Sequence, residues 1–141
     1  MTRIGTRRAG TALLVGLSLC WALAVQAADD NISFKKRGDE EKRFVTSVGT
    51  AIVKAAHKTA RKIELLKHEY TKPRANRTEL TIRMEYHGAV SGKRYVADIV
   101  VKIDSSNKDA WEVLNIEYAD TNTGIKHNER KIQELIKKLN K

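Results

Sequence analysis

Cysteine is nearly missing from this chain: Cys20 is the only one in 141 residues. A single thiol excludes an internal disulfide, a thiolate zinc site and an iron–sulfur cluster, so the fold must be held by its apolar core. Proline is equally scarce, with Pro73 standing alone. There is no low-complexity tract, and the one long apolar run is short for a membrane span, which needs about 20 residues. Acidic residues are the minority, 17 Asp+Glu against 27 Lys+Arg, giving a formal charge of +10. With 41% apolar and 31% charged residues, the composition is globular, which excludes a disordered tail or a collagen-like chain. The length allows one small domain and excludes a large multidomain enzyme.

The N-terminus reads as an address. Arg3, Arg7 and Arg8 occur without an acid, an apolar stretch extends from Thr11 to Val25, and Val25-Gln26-Ala27-Ala28 supplies small residues for cleavage. That order of basic, apolar and small-residue regions is a secretory signal, predicting removal of residues 1–27 and a protein that is periplasmic or secreted. An uncleaved helix tethering the domain is the competing reading. Leu19 directly before Cys20 disfavours lipidation, and Ala9-Gly10-Thr11 lacks the bulky residues that come after a twin-arginine pair, so ordinary Sec export is expected. Cleavage removes three Arg and no acid; the remaining chain is still basic and has no cysteine.

Residues 28–38, with Lys35-Lys36-Arg37, show no sustained apolar period and are expected to form a flexible basic arm. A single domain is expected over 39–141. Asp39 is placed to cap a helix, with Glu40 and Glu41 favourable in its first turn. Phe44, Val48, Ile52, Ala55, Ile63, Leu66 and Tyr70 then fall on one helical stripe, which predicts a helix to about Tyr70, ended by Pro73. Its other side aligns Arg43, Thr50, Lys54, His57, Arg61 and His68 as a basic row. Glu79 to Tyr86 alternates polar and apolar without error, Arg94 to Asp104 is a second β-rich run with Tyr95, Ala97, Ile99, Val101 and Ile103 on one face, and Trp111 to Tyr118 forms a third strand with Leu114, Ile116 and Tyr118 on one side. Thr121-Asn122-Thr123-Gly124 offers caps for a final helix carrying Ile125, Ile132, Leu135, Ile136 and Leu139. The expectation is an α+β fold of order α-β-β-β-α, a three-stranded antiparallel meander with both helices on one face.

No motif of catalysis emerges. Ser91 lacks the strand-to-helix context of a nucleophile elbow, and the glycines of Gly88-Ala89-Val90-Ser91-Gly92-Lys93 have the wrong spacing for a phosphate loop. His57 and His68, on one helix, would sit about 16 Å apart, too far to share a metal. The strand order matches that of double-stranded-RNA-binding domains, but Gly124-Ile125-Lys126-His127-Asn128-Glu129 replaces their lysine-rich helix start, and no family resemblance is drawn. No catalytic residue, cofactor or metal is assigned. The expectation is a non-enzymatic exported binding domain for an anionic partner: a membrane surface, polysaccharide, nucleic acid or acidic protein. Its candidate contacts are Lys35, Lys36, Arg37, Arg43, Lys54, Lys58 and Arg61. The alternative is a small-ligand carrier or enzyme using a gap between helix and sheet, or the exposed sheet face with Arg83, Glu85, Asp98, Asn115 and Glu117. A homodimer through that face is the third reading.

Overall fold

The first helix is much shorter than its apolar stripe predicts. In the computed structural model, which describes residues 32–36 and 41–141, helix α1 spans Glu41–Ala56 and strand β1 comes next at Arg61–Arg74. The chain continues through β2 (Arg77–His87), β3 (Arg94–Asp104), β4 (Glu112–Asp120) and helix α2 (Glu129–Leu139). The fold is α+β, but the antiparallel meander has four strands in the order β1-β2-β3-β4, which corrects the expected three. The predicted signal over 1–27, Arg37 and the Asp39 cap lie outside the described residues.

β1 is an edge strand, and its sequence shows how such an edge is kept from pairing with other chains. It carries lysines, it contains Pro73, Lys62 sits at φ 50°, and its register against β2 slips at three places. Charges, proline and bulges all blunt a free edge. β2 and β3, in contrast, pair without interruption from Arg77↔Asp104 to His87↔Arg94. Their inward residues Leu80, Ile82 and Met84 meet Ala97, Ile99 and Val101, all fully buried.

β4 departs from simple alternation. Ile103 pairs with Val113 and Lys102 with Asn115, so Leu114 is an extra residue at a bulge. Val113 therefore points into the core at 2% exposure and Leu114 outward at 45%, the reverse of the expected facing. The outer edge of β4 is covered at this point by Asn140. Its side-chain amide accepts from the Val113 N–H (2.6 Å) and donates to the Val113 carbonyl (3.0 Å), imitating a neighbouring strand.

α1 lays Phe44, Val45, Val48, Ile52 and Val53 into the core, and α2 adds Ile132 and Leu139. The approach of α1 to the sheet requires glycine at one place. A Cβ on Gly49 would lie 2.5 Å from Met84 Sδ. α2 starts later than expected because Asn128, not the 121–124 stretch, caps it by accepting from the Lys131 N–H. The arm expected over 28–38 is not free where it is described. Ile32 and Phe34 are buried, Phe34 stands edge-on to Phe44 at 4.9 Å, and Ser33 Oγ donates to the Lys141 carbonyl at 2.6 Å. Apolar burial thus docks this stretch onto the core. The described residues form one unit from Ile32 to Lys141.

Candidate functional site

In a four-stranded meander, β2 and β4 run in the same direction and finish at the same end of the sheet. α1 must also finish there, because β1 starts there. Three chain segments consequently deliver polar side chains to one place: His57 just after α1, Tyr86 near the end of β2, and Tyr118 and Asp120 at the end of β4. Asp120 Oδ2 accepts from His57 Nε2 (2.7 Å), Tyr86 Oη (2.8 Å) and Tyr118 Oη (2.8 Å). Oδ1 accepts from the Asn122 backbone N–H at 2.9 Å. The His57 and Asp120 side chains are 7% and 4% exposed, so this is an internal cluster.

The donors decide the charge of the aspartate. Burial acts to raise its pKa, but the hydrogen bonds from Tyr118, Tyr86 and His57 outweigh it and hold the carboxyl below the usual range. The two phenols respond in the opposite sense. Burial first, and the hydrogen bond to Asp120 second, push both Tyr86 and Tyr118 well above the ordinary phenol range, so they remain donors. The His57 ring stacks on Tyr86 at 5.3 Å, and Tyr118 packs against His127 at 4.9 Å. The Asn128 N–H donates to the Ala56 carbonyl at 2.9 Å, which joins the end of α1 to the start of α2 beside the cluster.

Over this cluster lies an open cleft of about 670 Å³. His57, Tyr86 and Tyr95 contribute to its wall together with Ala55, Ala56 and Ala60. Its other side is the β2–β3 loop, which turns at Gly92, where φ is +68° and glycine is therefore favoured. Four lysines, Lys54, Lys58, Lys126 and Lys131, line it, all exposed, and no carboxylate is among its described lining residues. Lys131 is paired with Glu134 at 3.7 Å, whereas the lining itself contributes lysines and no acid, a bias toward positive charge. Among the described residues, no group of three His, Cys, Asp or Glu is placed to hold a metal.

The predicted anion contacts divide accordingly. Lys54 and Lys58 line the cleft. Arg43 belongs to the first turn of α1, about 16 Å along the helix axis from Lys54. Arg61 opens β1 outside the cleft lining, and Lys35 is exposed in the turn Phe34–Lys36, which also contains Lys36. Arg37 is outside the described residues. The continuous basic row expected along one helix does not form, because α1 stops at Ala56, His57 turns inward, and Arg61 and His68 belong to a strand.

Four of the five sheet-face candidates are held in ion pairs. Arg83 Nε donates to Asp98 Oδ1 at 2.8 Å, and Lys102 lies 3.5 Å from Glu117. Glu85 lies between His87 at 3.8 Å and Arg94 at 3.6 Å, and Asn115 is exposed opposite Lys102. Apart from Glu85–His87, which lies within β2, these are cross-strand pairs, and all are of modest energetic weight. Tyr86, Tyr118, Asp120, Lys126 and Lys131 are the residues of the cluster and cleft that the sequence did not single out. The signal that could have found them was local: Tyr118 and Asp120 lie two apart on one strand, the spacing that puts side chains on one face. No known protein family, curated protein or solved structure matches this chain.

Proposed function

We propose that this protein is an exported, non-enzymatic binding domain that receives an anionic group in the lysine-rimmed cleft. The observation that carries the reading is the charge bias there: four lysines from two separate segments line the cleft, Lys131 among them paired with Glu134 at 3.7 Å, and no carboxylate is among the described lining residues. Binding rather than catalysis is favoured by the saturation of Asp120, whose Oδ2 is already occupied by three donors. Ser91 also lines the cleft, but its Oγ is engaged by the Lys93 N–H at 3.2 Å.

Heparin affinity measured as a function of salt tests this reading, because contacts made by counterion release weaken steeply with ionic strength. Lys54→Glu with Lys126→Glu should lower affinity at least tenfold while leaving the melting temperature nearly unchanged, since both side chains are exposed. Lys137→Glu with Lys138→Glu changes net charge equally on a different part of the surface and should have a much smaller effect. Equal losses in the two double variants would leave only diffuse basicity and refute a localised site.

A further inference from the structure

The cleft has features that a surface for long polyanions does not need. Its volume of about 670 Å³ falls in the range of small-molecule sites. The large exposed apolar side chains of the described residues are Leu66, Val90, Leu114 and Ile125, and two of them, Val90 and Ile125, flank this one cleft. They are exposed to 102% and 64% and stand beside an apolar wall of alanines and Tyr95. A ligand with an apolar body seated in the cleft would remove this surface from water.

The wall also includes an imidazole. His57 is a lining residue with a side chain only 7% exposed. Its Nε2 is committed as donor to the ionised Asp120, and no described residue bonds its Nδ1. With Nε2 fixed as donor, Nδ1 accepts a hydrogen bond from a ligand hydroxyl in the neutral ring or donates one to an oxyanion in the charged ring. Asp120, Tyr86 and Tyr118 orient the ring from β2 and β4 without competing for that nitrogen.

We infer that the cleft takes a small organic anion with an apolar body, in the class of alkyl or aryl phosphate monoesters. This inference rests on the anion-binding reading of the cleft and narrows it. The head group lies between His57 Nδ1 and the lysines, and the body covers Val90, Tyr95 and Ile125.

The test is a titration of the full chain, labelled with nitrogen-15 at histidine, monitored through the imidazole nitrogens. The probes are octyl phosphate below its micelle concentration, phenyl phosphate, inorganic phosphate and heparin. At least one organic phosphate should shift the His57 Nδ1 resonance while the Nε2 bond to Asp120 persists, and should bind at least tenfold tighter than inorganic phosphate. Tighter octyl phosphate identifies a chain-bearing ligand, tighter phenyl phosphate a ring-bearing one, and both support the class. Val90→Ser with Ile125→Ser, at two exposed positions, should erase that margin without affecting inorganic phosphate or the melting temperature. Equal affinity for organic and inorganic phosphate, or an unmoved Nδ1 at saturation, overturns the inference. Heparin binding without organic phosphate binding overturns it and retains the broader anion site; binding of neither removes both.

Discussion

Asp120→Asn tests whether the buried cluster is held together by one negative charge. The carboxylate accepts three side-chain donors on Oδ2, at 2.7, 2.8 and 2.8 Å, and one backbone N–H on Oδ1. An amide of the same shape has only one oxygen. If that oxygen faces the three side chains, the amide nitrogen faces the Asn122 N–H; if it turns over, an NH₂ faces three donors. In the better orientation three bonds to a charge become bonds to a neutral oxygen, losing about 1 kcal/mol each, and one N–H loses its acceptor at about 1–3 kcal/mol. Easier burial of the neutral amide offsets part of this, leaving a net loss of about 3 kcal/mol. For a domain of this size that lowers the melting temperature by roughly 10–15 °C. Thermal and urea melts at neutral pH measure it directly. The same cluster sets a pH signature. Because the folded carboxyl is held below its unfolded value of 3.8, its stabilisation is complete above that value and is lost as pH falls through the lower folded value. The gap between wild type and Asp120→Asn should therefore close as pH is lowered below about 4. A neutral-pH loss under about 1 kcal/mol, or a gap independent of pH, would refute the charge-centred account of the cluster.

The backbone approach at Gly49 gives a second prediction: Gly49→Ala should destabilise by about 1–2 kcal/mol despite the better helix propensity of alanine, because Met84 Sδ stands 2.5 Å from the new Cβ. Met84→Val should restore much of the loss in urea melts, and an unaffected Gly49→Ala would show that the contact relaxes freely. Asn140→Ala should lose about 1–2 kcal/mol with the two bonds to Val113 and increase aggregation measured by light scattering, since the edge of β4 becomes available for pairing. Intact-mass analysis of protein from the cell envelope or medium should give a chain beginning at Ala28, whereas a mass that retains residues 1–27 would reject the export reading.

The parts of the fold that could be read from sequence are those in which side-chain alternation is unbroken. β2 and β3 pair along their whole length, so every second residue keeps its facing and the period of two stays visible. β1 and β4 contain residues with no partner, and each one reverses the facing of the strand beyond it. In β1 the register slips between Leu65 and Lys67, so Ile63 and Leu65 are half-buried before the slip and His68 and Tyr70 after it. A strand interrupted in this way places apolar residues at 63, 66 and 70, a spacing that two turns of helix also satisfy. Burial separates the two interpretations, because Leu66 would be central to a helical stripe and is 47% exposed. Leu114 is the same phenomenon on a smaller scale, one bulged residue turning the expected core leucine outward.

Strand β1 also positions the site. A helix running to Tyr70 puts His57 in mid-helix on a basic, solvent-facing row, far from any strand end. With β1 in its place, the connection after α1 falls at the end of the sheet where β2 and β4 terminate, and His57 has to lie there. Tyr86 and Tyr118 each occupy an inward position close to the end of their strands. An inward tyrosine brings a hydroxyl that needs a partner, and Asp120, two residues beyond Tyr118, supplies an acceptor on the same face. The cluster joins His57 to a residue 63 positions away, so no short motif could encode it. Strand number encodes it instead: β2 and β4 end together because one strand separates them, and α1 ends with them because β1 begins there.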